Sequence, residues 1–165
     1  MYSKNIERNN GQFDFSKTIS IATMKFKRAG NGAAEKSLNS YKVLRKGDIA
    51  FEGHSNKDFS FGRFVLNDIG DGIMSPRFTA LRPIRQNTEL KFWKQYIHYD
   101  PIMKYILVRS TKMGTMMNEL VVKEFLKQNI LVPSLKEQGR IGQFFKQLDS
   151  LITLQQHTWI FFSLK

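Results

Sequence analysis

The stretch PSLKEQGRIGQFFKQLDSLITLQQ, residues 133–156, predicts one long α-helix near the end of the chain. Ser134 and Glu137 have the spacing of a capping box, in which each side chain bonds to the other residue's backbone amide. After this start, large apolar residues recur at steps of four, three and four, at Ile141, Phe145, Leu148 and Ile152. Such steps are typical of a coiled-coil seam. Gly139 and Gly142 would let another backbone approach the first turns.

The apolar face of this helix is wider than a single seam. Phe144 and Leu151 flank the stripe. One small domain cannot cover so wide a face on a terminal helix. We therefore expect a second helix to pack there, most simply the same helix of another copy, antiparallel about a twofold axis. The predicted helix-partner interface comprises Ile141, Phe144, Phe145, Leu148, Leu151 and Ile152.

Upstream, residues 41–83 have the pattern of β-structure. Strand-like runs bounded by turn residues are YKVL (41–44), IAF (49–51), GRFVLN (62–67) and IMSPRFTALRP (73–83). The DIGDG between the last two predicts a hairpin turn. Pro76 would place the last strand near a sheet edge or a bulge. Asp68 and Asp71 in DIGDG lack the spacing of an EF-hand calcium loop.

Residues 89–109 are helical in pattern, with apolar and aromatic side chains at steps of three and four. Pro101 would interrupt a single helix, and Asp100 is a suitable N-cap, so we expect two helices that meet there. The aromatic stripe predicts core packing, with base stacking as the alternative. A helix at about 118–127 and a short strand at NILVP (129–133) should follow. The fold class is α/β: a twisted sheet with short helices, then a C-terminal coiled-coil-type helix.

Length and composition fit one ordinary globular domain of 165 residues. The chain has no cysteine, which excludes disulfides, thiolate metal sites and a cysteine nucleophile. The start, MYSKNIERNN, lacks the apolar core of a signal peptide. WIFF, near the end, is far shorter than the ~20 residues that span a bilayer. We therefore expect a cytoplasmic protein.

The net charge of +12 favours a polyanionic partner, usually nucleic acid. The basic excess lies in the two flanks, residues 1–46 and 91–165, whereas residues 47–90 are nearly balanced. Within the first flank, KFKRAGNG (25–32) predicts a mobile basic loop. Its lysines and arginine would contact phosphates, or the loop would be a solvated linker.

Catalytic motifs are scarce. The sequence has no Gly-rich phosphate loop, no HExxH and no GxSxG. Asp71, Glu89 and Lys91 resemble the Asp…Glu-x-Lys arrangement that holds magnesium in DNA-cutting enzymes. A small magnesium-dependent nuclease is therefore one alternative. A second is a non-specific nucleic-acid-binding module that uses the 14 Phe, 5 Tyr and 2 Trp residues for stacking. Neither alternative needs the heptad seam.

Residues 133–156 also carry a family resemblance. Glu137-Gln138, Ile141-Gly142, Phe144-Phe145 and the run LDSLI (148–152) resemble the distal conserved region of the specificity subunit of type I restriction-modification enzymes. Upstream, YKVLRKGDIAFEGHSN (41–56) and GIMSPRFTALRP (72–83) are similar to the body of a target-recognition domain of that family. RSTKMGTMMNELVVKEFLKQNILVP (109–133) resembles its link to the long helix.

The resemblance implies a DNA-recognition protein without an active site or cofactor. Such subunits carry two target-recognition domains, each reading half of a split duplex site, spaced by two long helices that dock methyltransferase subunits. Catalysis belongs to the modification and restriction partners. We expect a recognition domain at 1–132, lacking its N-terminal start, and a truncated distal helix at 133–165. The chain would then be a half-subunit or a fragment, paired with another copy or a companion half.

Loop position and residue type give the candidate DNA contacts. Phosphate contacts are expected from Lys25, Lys27, Arg28, Lys57 and Lys112. Base readout is expected from His54, Asn56 and Arg63. We predict no catalytic residue and no metal ligand.

Overall fold

The structure is a computed structural model. It describes residues 2–27, 29, 32, 34–84 and 89–163, without the side chains of 157–163. Its strands are β1 (Tyr2–Asn5), β2 (Ile19–Ser20), β3 (Lys25–Phe26), β4 (Lys42–Leu44), β5 (Ile49–Glu52), β6 (Arg63–Leu66), β7 (Gly72–Met74), β8 (Thr79–Pro83), β9 (Thr111–Lys112) and β10 (Glu119–Leu120). Its α-helices are α1 (Leu90–Tyr96), α2 (Asp100–Ser110), α3 (Val122–Leu126) and α4 (Leu135–Ser163). Two short 3-10 helices span Phe15–Lys17 and Glu35–Ser40. The expected α/β class is confirmed.

The main sheet is antiparallel, in the order β1-β8-β5-β6. Because side chains alternate across a strand, Ile49 and Phe51 face the helices, whereas Ala50 between them faces the opposite side. The helix side is the larger core, and Phe92, Trp93 and the α2 side chains fill it. The other side packs on the β2–β3 hairpin and on Met74.

Three features of the predicted β-structure are wrong. The run 73–83 is not one strand: β7 pairs with β4, β8 joins the main sheet, and a turn at 75–78 separates them. Pro76 therefore lies in that turn. DIGDG is no hairpin turn, because β6 pairs with β5 and not with β7. NILVP forms no strand, although Val132 and Ile130 pack on the core.

The helical predictions agree with the structure better than the strand predictions do. Two helices do meet near Pro101, but Tyr99 and not Asp100 is the N-cap position. Asp100 is the first helical residue, so the second helix begins one residue earlier than expected. The aromatic stripe is mainly core, since Phe92 is buried and Tyr96 is half-buried, although Tyr99 is exposed. The helix predicted at 118–127 shortens to α3, because Glu119 and Leu120 pair with Lys112 and Thr111 in the β9–β10 hairpin.

The long helix α4 begins with the predicted capping box. The Ser134 amide and hydroxyl donate to the Glu137 carboxylate at 2.9 and 2.7 Å, and the Glu137 amide approaches the serine oxygen at 3.4 Å. The first turns pack on α1 through Gly142. A Cβ at Gly142 would lie 2.9 Å from the Phe92 nitrogen, so the close approach needs glycine.

A charged network holds the N-terminal strand in place. Arg82 bonds to Asp48 at 2.9 Å and to Glu7 at 2.6 Å, and Arg45 also bonds to Glu7. The Asn5 amide donates to the Asp48 carboxylate at 3.1 Å. The hydrogen bond to Asp48 is the main reason why the pKa of Arg82 is raised, so this guanidinium stays charged. The network fixes residues 5–7 against the β4–β5 turn.

Candidate nucleic-acid interface

The loops that carry most candidate DNA contacts gather at one end of the main sheet. Strand β5 ends at Glu52 and its partner β6 begins at Arg63, so the β5–β6 loop, residues 53–62, projects from that end. Phe51 pairs with Thr79, which places the 75–78 turn at the same end. The loop is mostly exposed, although its two glycines, Gly53 and Gly62, are buried.

Arg63 joins this end to the β2–β3 hairpin. Its Nε donates to the Glu52 carboxylate at 2.8 Å, and one terminal nitrogen donates to the Ala22 carbonyl at 2.9 Å. The guanidinium also lies over the Phe59 ring, 5.3 Å from its centroid. Arg63 is therefore a half-buried anchor between two loops, and these contacts occupy donors that base readout would use.

Asn118 ties the β9–β10 hairpin to the same end. Its backbone amide donates to the Gly53 carbonyl at 2.8 Å, and its side-chain amide donates to the Ser55 hydroxyl at 2.9 Å. A Cβ at Gly53 would collide with the Asn118 carbonyl, so the two segments are in direct backbone contact. A groove of about 500 Å³ lies between them, lined on one side by His54 and Phe61.

The predicted contact residues fall on this surface as follows. His54, Asn56 and Lys57 are exposed on the β5–β6 loop. Lys27 lines a second groove together with His54 and Glu52, so the structure brings the β2–β3 hairpin beside that loop. Lys25 is exposed on the same hairpin, and Lys112 is exposed on β9. Arg28 lies outside the described residues.

Asn56 has a structural task as well. Its side-chain carbonyl accepts from the amides of Asp58 and Phe59, both at 2.9 Å. Such an Asx turn shapes the loop. The side-chain amide group is then what Asn56 could offer to a base edge.

Sequence reasoning missed the 113–118 segment of this surface. Met113 is 95% exposed, Met116 is 84% exposed, and Asn118 is buried. The available signal was Gly114 within a run of methionines, KMGTMMN (112–118). What it could not reveal is the contact with Gly53, because the two segments are far apart along the chain.

The nuclease arrangement gains no support. Asp71 accepts from the Lys46 amide at 2.9 Å and from Arg45 at 3.0 Å. Burial raises the pKa of Asp71, but these hydrogen bonds outweigh it and hold the pKa below its ordinary value. Glu89 is the N-cap position of α1. Within the described ranges, acidic and histidine side chains form no group of three that could hold a metal ion.

The helix-partner residues divide into two sets along α4. Ile141 packs on the core. Phe145 is half-buried and lines a groove together with Leu90 and Lys94 of α1. The more exposed set is Phe144, Leu148, Leu151 and Ile152. In the part of the chain that the structure describes, no helix is long and apolar enough to cross a bilayer.

Comparison with protein families gives a match over nearly the whole chain. The family model described as "Type I restriction modification DNA specificity domain" matches residues 1–159. A search of curated proteins found no match. The family match covers the sheet with its loops and α4 as far as residue 159.

Proposed function

The chain belongs to the family of type I restriction-modification DNA specificity domains, and from this premise we propose that it reads one half of a bipartite duplex target. The protein is a DNA specificity component of such a system, as the resemblance of residues 133–156 implied. In our proposal residues 1–132 form the recognition domain, and residues 133–165 form the distal helix. Whether as a half-subunit or as part of a longer chain, it contributes one target-recognition domain.

The observation that carries this proposal is the gathering of loops at one end of the main sheet. The side chains there are of two kinds. Exposed lysines, at Lys25, Lys27, Lys57 and Lys112, suit phosphates, which position a protein on DNA without reading its sequence. His54 and Asn56 offer donors and acceptors to base edges.

The partners follow from the family and from α4. Type I specificity components work with methyltransferase and restriction subunits, and we propose that α4 docks the methyltransferase side. The exposed apolar residues Leu151 and Ile152 also suit an antiparallel helix from another copy or from a companion half. Such pairing would hold two target-recognition domains at a fixed separation.

We further propose that the chain itself performs no catalysis and needs no cofactor. It acts in the cytoplasm, where its DNA target lies. Purified protein should neither cut nor methylate plasmid DNA when magnesium is supplied. Cleavage that disappears in Glu89→Ala would instead establish the nuclease alternative. A matched Glu119→Ala variant controls for loss of an exposed carboxylate elsewhere.

The test of the recognition role is binding-site selection. The full chain is incubated with a random-sequence duplex pool, bound DNA is recovered and amplified, and the rounds are repeated. We expect one short motif to be enriched, because a half-subunit reads a few base pairs. Recovery of DNA without any motif, or a preference for single strands, would contradict the proposal and favour a non-specific binding module.

A further inference from the structure

The tip of the β9–β10 hairpin presents apolar side chains beside the basic loops. Met113 and Met116 are almost fully exposed. Lys112 precedes Met113 and is itself exposed. Both methionines line the groove that His54 and Phe61 border from the other side. The hairpin tip thus belongs to the same surface as the candidate base-reading loop.

Asn118 fixes the relation between the tip and that loop. It bonds to Gly53 through its backbone and to Ser55 through its side chain. Its side-chain amide also approaches the Ser60 carbonyl at 3.4 Å. These contacts reach both ends of the β5–β6 loop, so hairpin and loop are held as one unit.

The chemistry of this combined surface fits a DNA groove. Lysines can reach phosphates along the rim, and unbranched thioether side chains adapt to an irregular apolar surface. A base-pair edge offers such a surface at the thymine methyl group, and apolar side chains can also insert between base steps. A purely apolar protein partner would not account for the exposed Lys112 next to Met113.

Resting on the proposed function, we propose that Met113 and Met116 contact base edges of the target duplex and determine part of its sequence. Asn118 is the positioning residue that holds them against the β5–β6 loop. The recognition surface is then a composite of two segments, 53–62 and 111–118, rather than the β5–β6 loop alone.

The experiment compares selection by the full-length wild type and by Met113→Ala/Met116→Ala from the same random-sequence duplex pool. Both methionines are exposed, so the variant should keep the wild-type melting temperature. We expect the variant's motif to lose preference at one or more base pairs. Its affinity for the wild-type motif should fall at least tenfold, while its affinity for scrambled duplex should stay within twofold. Leu131→Ala is the matched control, because Leu131 is 93% exposed on the segment before α4, and it should select the wild-type motif.

The two proposals can fail separately. If the wild type selects no motif, the proposed function fails. If the wild type selects a motif and the double variant selects the same one with equal affinity, only this inference is overturned. That second result combined with weaker capture of a methyltransferase subunit would assign the methionines to a protein interface instead.

Asn118→Ala tests the positioning role. Loss of its side-chain bonds to Ser55 and Ser60 should loosen the loop against the hairpin, although the backbone bond to Gly53 remains. The ratio of affinities for motif and scrambled duplex should therefore fall at least tenfold. Asn118→Gln retains the amide and should recover part of that ratio. A lower melting temperature with an unchanged ratio would mean that Asn118 only stabilises the fold, and would overturn this part of the inference.

Discussion

Lys25 and Lys27 are exposed cations on the hairpin that Arg63 holds against the β5–β6 loop. Replacing both with alanine should weaken binding to all duplexes alike, because phosphate contacts carry no sequence information. The slope of log K against log salt should become shallower by about two, roughly one for each lost contact. Binding titrations at several salt concentrations measure both effects.

The control for the lysine pair is Lys136→Ala/Arg140→Ala, which removes two exposed cations from α4. It should leave the salt slope on naked duplex unchanged. If the hairpin variant lost affinity for the selected motif but not for scrambled DNA, these lysines would read bases, and their assignment to phosphates would be wrong.

His98 makes the stability of the fold depend on pH. Burial is the main cause that lowers its pKa below the ordinary 6.5, and the charge of Arg63 adds to it. The unfolded chain then binds a proton more readily than the folded one, so stability is fully present above about pH 6.5 and falls as the pH drops through the folded pKa. Urea unfolding at about pH 7.5 and pH 5 should show this loss.

His98→Gln should reduce that pH dependence, because glutamine does not titrate. Glu7 and Asp71 have pKa values below their ordinary 4.5 and 3.8. Their protonation therefore affects stability at lower pH than the interval between about pH 7.5 and pH 5. An equal loss of stability in wild type and variant would show that His98 does not cause it.

At the scale of elements, the packing of α4 on α1 depends on one of two neighbouring helix glycines. A Cβ at Gly139 would meet only the Glu89 carboxyl group, at 3.9 Å or more, whereas one at Gly142 would meet the Phe92 nitrogen and Lys91 Cβ at 2.9 Å. Gly139→Ala should therefore stabilise the protein by about 0.5–1 kcal/mol through helix propensity. Gly142→Ala should destabilise it by about 1–3 kcal/mol through overpacking.

Thermal or urea unfolding of the two glycine variants makes the comparison. Because both substitutions have the same effect on helix propensity, their difference isolates the contact with α1. Equal stabilisation by the two alanines would mean that α4 does not pack on α1 as described.

The exposed face of α4 should support self-association. Leu151 is 62% exposed and Ile152 is 53% exposed, so Leu151→Asp/Ile152→Asp can break a dimer without disturbing the domain. Sedimentation should give a dimer for the wild type and a monomer for this variant. Gln147→Asp/Ser150→Asp adds the same charge at exposed polar positions of the helix, and it should remain dimeric. A wild type that is monomeric at all accessible concentrations would contradict the pairing of α4.

Predictability differed between elements for a physical reason. Where a rule is local, the sequence was sufficient: the capping box of Ser134 and Glu137, the break near Pro101 and the strands β4, β5 and β6 all formed. Pairing is not local. Nothing within residues 68–83 indicates that β7 joins β4 while β8 joins β5.

In the candidate site, too, the features that depend on local sequence could be predicted, and those that depend on contacts across the fold could not. Lysines, histidine and asparagine in loops could be proposed as DNA contacts from residue type and position. The anchoring of Arg63 by Glu52 and Ala22, and the clamp of Asn118 on Gly53, depend on contacts across the fold. For that reason residue type and loop position alone assign Arg63 to base readout and give no reason to single out the exposed methionines.

For the molecule as a whole, positive charge that is divided between two distant parts of the sequence meets at one end of the main sheet. Both basic flanks contribute to the same sheet end, since Lys25 and Lys27 come from the first and Lys112 from the second. The nearly balanced middle, residues 47–90, supplies most of the main sheet and the β5–β6 loop. Distant parts of the chain thus converge on one basic surface.

The most direct test of sequence-specific duplex recognition is a ratio of dissociation constants. The wild-type chain is titrated at one fixed salt concentration against the selected duplex, a scrambled duplex and the single strand of the selected motif. We expect at least a hundredfold preference for the selected duplex over the scrambled one, and still weaker binding to the single strand. Equal affinity for all three would contradict it.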